Sequence, residues 1–289
     1  MAPDGIVPGW LLSVVALATL WVVMFDLGLA IVVGEFRWVV HRPALVLKAL
    51  FSVLICVPCI VWIVARIFDL PRNVEIGMMV MAIAPGAPVA LRRSLGAGGH
   101  RSFAPALQIA LAISAIVSMP LWIVGLNQYY AGDAMIDPRE IARQVFVAQL
   151  LPLGLGMALR RWGPSLAMRI EPRLNRIGAA LLLLLLVLAL VDIWQTVIGA
   201  GVRVGAAVVL ATLLALAAGH LLGGPEPATR TSTAISSAAR NAGLALLVVA
   251  LNKAAPAIVA TVLAYFVLSA FTIIPYVFWR RRAGQPVGT

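Results

Sequence analysis

The chain has 289 residues, of which 62% are hydrophobic and only 11% are charged, with a mean hydropathy of +1.02. A soluble domain is about 45–50% apolar and about 25% charged, so the composition excludes a soluble enzyme, a disulfide-rich secreted scaffold and a disordered chain. The net charge of +11 comes from basic residues that lie between long apolar segments. This arrangement predicts membrane topology, with the lipid bilayer as a partner and no nucleic acid.

Nine apolar segments are long enough to cross a bilayer, whose hydrocarbon core of about 30 Å needs about 20 helical residues. We therefore predict an all-α polytopic membrane protein that forms one integral membrane transporter domain over residues 1–289. The predicted helices cover roughly residues 8–33, 44–68, 74–96, 102–126, 142–161, 176–196, 202–222, 229–252 and 256–279.

The Lys and Arg residues are concentrated in alternate connections, and cytoplasmic connections carry the excess of positive charge. This predicts a plasma (inner) membrane protein with its N-terminus outside and its C-terminus in the cytoplasm. The start of the chain lacks the basic region of a signal peptide, so we expect the first apolar segment to remain as a helix.

Two of the nine spans are interrupted. The third contains Pro85-Gly86-Ala87-Pro88, and the eighth has a polar first half that leads to Arg240 and Asn241. They lie at matching places in two halves, residues 1–126 (helices 1–4) and 142–282 (helices 5–9), which run in opposite directions. Interrupted helices placed in this way in inverted repeats indicate the binding site of a transporter, although two local kinks without function would leave the same pattern.

Arg240 is the most informative residue, because an arginine at the middle of a membrane costs at least about 2.5–3.5 kcal/mol. Either a structural ion pair or a fixed positive charge at a binding site accounts for it. Asp26 in the first span is a second intramembrane charge, and such carboxylates pair or carry protons. We predict ion or proton coupling at Asp26, with Arg240 as its possible partner.

The predicted solute-binding residues surround the two interruptions. They are Pro85, Gly86, Pro88, Gln108, Ser236, Ser237, Arg240 and Asn241. The hydroxyl groups before Arg240 are suited either to hydrogen bonds with broken-helix backbone or to coordination of a solute. An interhelical hydrogen bond is the simpler prediction for Gln108, and for Gln144 and Gln149 in the fifth span.

No catalytic or metal-binding motif accompanies these residues. Histidine–glutamate zinc motifs, nucleophile elbows and phosphate-binding loops are missing from the sequence, so we do not expect an enzyme. Cys56 and Cys59 form a C-x-x-C inside an apolar segment, where packing is a better interpretation than redox or zinc chemistry.

Four short motifs then occur in the order and spacing of a known family. They are Met24-Phe25-Asp26-Leu27-Gly28-Leu29, Phe36-Arg37 with Arg42-Pro43, Ala84-Pro85-Gly86-Ala87, and Arg240-Asn241-Ala242-Gly243-Leu244-Ala245. On these motifs the chain resembles the bile acid:sodium symporter superfamily, as a divergent bacterial-type member. The resemblance implies a panel domain and a core domain built from inverted repeats, in which two discontinuous helices cross at the binding site. It also implies a nine-helix form that lacks the first helix of the ten-helix members.

The positions that hold sodium in that family are changed in this chain. By the resemblance they fall on Ala90, Leu91, Gln108, Ala112, Ser236 and Arg240. A hard cation needs several oxygen ligands, so the loss of a carboxylate at Ser236 and the gain of a charge at Arg240 argue against bound sodium. We expect the Arg240 guanidinium to stand where sodium would lie, with no other cofactor and with proton coupling through Asp26.

The predicted function is secondary active transport of a small organic anion or amphipathic solute by alternating access. The N-termini of the half-helices and Arg240 both favour negative charge. One alternative is an arsenite-type or other inorganic exporter, for which a thiol would be expected where this chain has Ala84. The other is a non-transporting membrane sensor or assembly subunit, for which a signalling domain would be expected, whereas only AGQPVGT follows Arg282.

Overall fold

The computed structural model describes residues 9–31, 41–130, 137–199, 201–252 and 254–283, and nearly all of them are helical. The α-helices in chain order are α1 (Gly9–Ala30), α2 (Pro43–Phe51), α3 (Val57–Ile67), α4 (Arg72–Ile83), α5 (Pro88–Gly96), α6 (Phe103–Tyr129), α7 (Pro138–Val145), α8 (Leu151–Trp162), α9 (Pro164–Gly199), α10 (Gly201–Leu222), α11 (Pro227–Ala238), α12 (Ala242–Leu251) and α13 (Pro256–Ala283). Two π-helical turns lie inside longer rods. The first π-turn (Ser52–Cys56) joins α2 to α3, and the second π-turn (Phe146–Leu150) joins α7 to α8.

Within the described residues, seven helical segments are long and apolar enough to cross a membrane, and the bent pair α4 and α5 makes an eighth. The predicted all-α polytopic fold is confirmed. The predicted sixth span lies in α9, where the side chains at 189–190 and 192–199 are outside the described residues. The Phe36-Arg37 motif is also outside them.

Several helices begin at a proline, which has no N–H to leave unsatisfied in a first turn and whose φ already suits a helix. This holds for α2, α5, α7 and α11. At α7 the preceding residue, Asp137, adds a side-chain cap by accepting a hydrogen bond of 2.9 Å from the Arg139 backbone N–H. Local sequence thus fixes where these helices begin.

The chain divides into two compact units. Unit 1 comprises residues 1–33, 112–201 and 242–263, and α1 is its central helix, packed against α8, α9 and α12. Two glycines allow α1 and α8 to approach closely. A Cβ on Gly28 would collide with the Leu153 carbonyl and lie 2.9 Å from the Met157 nitrogen, and a Cβ on Gly156 would collide with the Phe25 carbonyl. Backbone therefore contacts backbone at this level, as in small-residue helix pairs in membranes.

Unit 2 comprises residues 34–111, 202–241 and 264–289. A cluster of fully buried apolar side chains joins α2 and the first π-turn to the start of α6. Its members are Ala49, Val53, Phe103, Leu107 and Leu111. In the same unit α3 packs against α4, and α11 packs against α5. This packing holds both α4–α5 and the end of α11 in one body, which is where the predicted binding residues are concentrated.

Candidate functional site

The first interruption separates α4 from α5 and bends the pair by 66°. Pro85 and Pro88 supply no N–H for helical hydrogen bonds, and Gly86 has φ +75°, a left-handed conformation that costs glycine little. The segment 84–87 is buried, and Pro88 is half-buried. The interruption predicted from the sequence is therefore present, and it exposes backbone carbonyls to the interior of unit 2.

The second interruption separates α11, which ends at Ala238, from α12, which begins at Ala242. The Asn241 backbone N–H donates to the Ala84 carbonyl at 3.0 Å, and the Asn241 side-chain amide donates to the Gly86 carbonyl at 3.5 Å. Two carbonyls that the first break leaves outside a helix therefore accept hydrogen bonds from Asn241 at the second break. The structure brings Gly86 and Asn241 together, as the family resemblance implied.

Arg240 lies at the second break and is only 3% exposed. Its Nη2 donates to the Val53 carbonyl in the first π-turn at 2.9 Å. Its Nε and Nη1 are buried and have no hydrogen-bond partner within the described residues. A guanidinium is always charged and offers five N–H donors, so most of its binding capacity remains open.

The hydroxyl groups of α11 fall into two sets. Those in the first turns donate to carbonyls of their own helix or of the preceding Glu226, and they belong to Thr229, Thr231, Ser232 and Thr233. Those in the last turn contact other segments, as Ser232 also does by accepting from the His100 N–H. Ser236 Oγ accepts from the Gln108 amide at 3.0 Å, and Ser237 Oγ lies 2.9 Å from Ser52 Oγ. The last turn of α11 is therefore bound to α6 and to the first π-turn.

Gln108 lies beside the last turn of α11. It makes the interhelical hydrogen bond to Ser236, which is confirmed, and its Oε1 is buried without a partner in the described residues. The pairs Gln108–Ser236, Ser52–Ser237 and Val53–Arg240 join the stretch 236–240 to two segments, α6 and the first π-turn. The unpartnered atoms of Gln108 and Arg240 consequently belong to one small polar cluster.

The electrostatics of this cluster suit an anion. Its fixed charge is the guanidinium, and α5 begins beside the first break with no side-chain cap at Ala87. The N-terminus of a helix carries a partial positive charge, although here Pro88 has no N–H and the Ala90 N–H donates to the Ala87 carbonyl at 2.9 Å. Within the described residues, no group of three or more His, Cys, Asp or Glu side chains is placed to hold a metal ion.

Asp26 is buried in α1 of unit 1, at 5% exposure. Its pairing with Arg240, which belongs to unit 2, stays a prediction. One minor prediction was wrong. Among the residues that the structure describes, Gln144 donates to Glu140 of its own helix at 3.1 Å and makes no hydrogen bond to another helix. Residues four apart lie on the same side of a helix, so the Glu140 carboxylate is close enough to accept a hydrogen bond from the Gln144 amide N–H.

Sequence reasoning missed several residues of unit 2. The Val53 carbonyl is the acceptor of Arg240, and Glu75 in the first turn of α4 is buried at 4% exposure, with Arg66 Nη1 3.9 Å away. Glu226, before α11, is bound by Arg42 and faces His100 Nε2 at 4.0 Å.

The sequence did contain one signal for the open Val53 carbonyl. Pro58 lies inside an apolar span, and a proline there removes a hydrogen-bond donor.

Fold and site together define an integral, polytopic helical membrane protein in which the two helix breaks contact one another in unit 2. Residues 17–200 match the sodium bile acid symporter family, and the chain belongs to that family. The family's name describes symporters, which are membrane transporters and not an enzyme class.

A distant curated relative supports the same assignment. It is sodium/bile acid cotransporter 4 of Mus musculus, which is 26% identical over 151 residues. The match covers 52% of this chain and 35% of the relative, so the chain spans about a third of the length of that protein.

Proposed function

We propose that the protein is a secondary transporter that moves an organic anion or amphipathic solute by alternating access, with Arg240 as the charge that binds the solute. The observation that carries the proposal is the burial of Arg240 at the second break with Nε and Nη1 unpartnered in the described residues. An uncompensated charge at membrane depth is costly. A bound anion offsets that cost, because charge-assisted hydrogen bonds to guanidinium are strong and are often bidentate.

The relatives' sodium coupling is the part of the family pattern that we propose is altered here. The family name and the relative's name both refer to sodium. In this chain Arg240 Nη2 donates to the Val53 carbonyl. Ser236 lies at the position where the family resemblance places a carboxylate. A cation beside the guanidinium would be repelled, so the proposed mechanism uses the arginine in place of bound sodium.

The proposed organisation in the membrane follows the sequence. A single domain over residues 1–289 contains the repeats 1–126 and 142–282, with the N-terminus outside and the C-terminus cytoplasmic in the inner membrane. Asp26 is the proposed proton-coupling group, because it is a buried carboxylate in the first span.

Uptake into proteoliposomes tests the proposal, using a panel of radiolabelled organic acids that includes a bile acid. With the wild type we expect equal uptake with and without a sodium gradient, and uptake driven by a proton gradient that is lost in Asp26→Asn. Arg240→Ala should reduce uptake about 10- to 100-fold, because hydrogen bonds to a charged group contribute about 1.5–3 kcal/mol.

Two further variants serve as controls. Arg240→Lys keeps the charge but loses the planar fork, so it should retain a fraction of the uptake. Arg230→Ala removes an arginine from the first turn of α11, the helix that precedes the break. Its Nε donates to the Gly224 carbonyl, and its loss should leave uptake within about twofold because the break is spared. Uptake by the wild type that depends strongly on sodium would contradict the sodium-free mechanism.

A further inference from the structure

The Val53 carbonyl is left without a helical donor by the first π-turn. In an α-helix this carbonyl would accept from the N–H four residues later, which belongs to Val57. Here the Val57 N–H donates to Ser52, five residues earlier. The α-helical partner of Val53 is therefore used by another carbonyl.

Pro58 removes the second possible donor. In a π-helical turn each carbonyl accepts from the residue five positions later, and for Val53 this residue is Pro58, which has no N–H. Both regular hydrogen-bonding patterns thus fail at the same oxygen. Pro58 is buried, as is Val53, and water does not replace the missing donor cheaply at such a position.

Arg240 supplies the missing donor at 2.9 Å. The same π-turn is bound to α11 one residue earlier, where Ser52 Oγ meets Ser237 Oγ at 2.9 Å. The open carbonyl is therefore held directly opposite the arginine. One guanidinium nitrogen is engaged there, and the direction of the other two is set by that bond.

We propose that Pro58 is a positioning residue for the solute site, because it keeps the Val53 carbonyl open to receive Arg240. The inference rests on the proposed function of Arg240 in solute binding. Replacing Pro58 by alanine restores an N–H five residues after Val53, which competes with the arginine for this oxygen. The guanidinium then loses the contact that fixes its orientation.

The chain contains a matched control. In the second π-turn the Leu151 N–H donates to Phe146, and Pro152 follows at once, so Pro152 has the same place in its turn as Pro58 has in the first. Pro152 is also buried, but it belongs to unit 1, whereas Arg240 is bound to the first π-turn in unit 2. Pro152→Ala therefore makes the same covalent change in the same type of helix without altering the arginine's acceptor.

The test is a double-mutant cycle read by thermal unfolding of the full chain in detergent, which needs no solute. We expect Arg240→Met to lower the Tm less in the Pro58→Ala background than in the wild type. The two decreases in Tm should differ by about 2–4 °C. The restored N–H satisfies Val53 when the arginine is gone, which is a rescue that a merely structural proline would not give. In the Pro152→Ala background the change should equal that in the wild type.

Equal changes in Tm on replacing Arg240 in all three backgrounds would overturn the inference. If Arg240→Met does not fold, Arg240→Lys serves in the same cycle, because one ammonium group does not reproduce the guanidinium fork. The outcome is separable from the proposed function. Uptake that is insensitive to Arg240→Ala would refute the anion site while leaving the coupling between Pro58 and Arg240 measurable.

Discussion

The two breaks in the paired helices are made in different ways. The first, at 84–87, is a property of its own residues, because Pro85 and Pro88 lack N–H groups and Gly86 takes a left-handed φ. The second, between α11 and α12, contains no proline, and Pro227–Leu251 still runs on as one 25-residue span. It is held open by partners, since Arg240 and Asn241 bind carbonyls of other segments. One break is therefore intrinsic and the other depends on tertiary contacts.

This contrast suggests a division of roles. An intrinsic break holds its backbone carbonyls in a fixed position. A break that depends on partners can change its conformation when one of those partners binds something else. Arg240 is such a partner, because a bound anion would compete for the same guanidinium. We therefore expect changes at the first break to affect stability most, and changes at the second to affect transport most.

The largest effect on stability is expected for Gly86→Ala. A side chain at φ +75° is strained, and such positions cost about 1–3 kcal/mol, so the free energy of unfolding should fall by that amount and be visible as a lower Tm. Gly125→Ala in α6 is the control, because nothing lies within 4 Å of the added Cβ and alanine favours a helix. Equal Tm values for the two variants would show that the first break is not intrinsic.

A smaller effect is expected for Asn241→Ala. The shorter hydrogen bond at this residue, 3.0 Å to Ala84, comes from the backbone N–H, which alanine retains. The side-chain bond to Gly86 is long at 3.5 Å, so its loss should cost about 0.5–1.5 kcal/mol or less in the free energy of unfolding. Denaturant unfolding in detergent measures it. A loss greater than that of Gly86→Ala would mean that side chains, not backbone pairing, hold the crossing together.

The smallest effect is expected at the far ends of the same helices, where His100 joins the turn after α5 to the start of α11. Its backbone N–H donates to Ser232 Oγ at 3.0 Å, and its Nδ1 accepts from the Ser102 and Phe103 N–H groups. Burial lowers the pKa of His100 below its ordinary value of 6.5; Glu226 opposes the shift and Arg42 adds to it. A proton at Nδ1 would also end both accepted bonds.

The sign of the resulting pH dependence follows from the lowered pKa. The folded protein binds this proton less readily than the unfolded chain, so the stability from His100 is fully present above pH 6.5 and is lost as the pH falls through the lowered pKa. The decrease in Tm between pH 8 and pH 5 should therefore be smaller in His100→Asn, whose amide still accepts N–H bonds but does not titrate. His41→Asn is the control and should keep the full decrease.

Much of the fold could be predicted from the sequence, because the signals are local. Long apolar segments define the membrane helices, and the Pro85-Gly86-Ala87-Pro88 run defines the first break. Arg240 was predicted as a site residue for a similar reason, since its charge conflicts with the apolar residues that follow it. Each of these signals is contained within one span.

The partners of the site residues could not be predicted, because they depend on register between distant segments. Gln108 and Ser236 are 128 residues apart, and Arg240 reaches a backbone oxygen 187 residues away. The first π-turn adds a further uncertainty, because one extra residue in a turn rotates every later side chain around the helix. Apolar periodicity does not reveal such a turn when residues on all sides are hydrophobic.

The contact between Gly28 and Gly156 has a consequence for the proposed proton coupling at Asp26. Because backbone meets backbone there, a side chain at either glycine would force α1 and α8 apart. Asp26 lies two residues before Gly28, on the part of α1 that approaches α8 most closely. If Asp26 carries a proton as proposed, this contact favours a movement of both helices together over a movement of α1 alone.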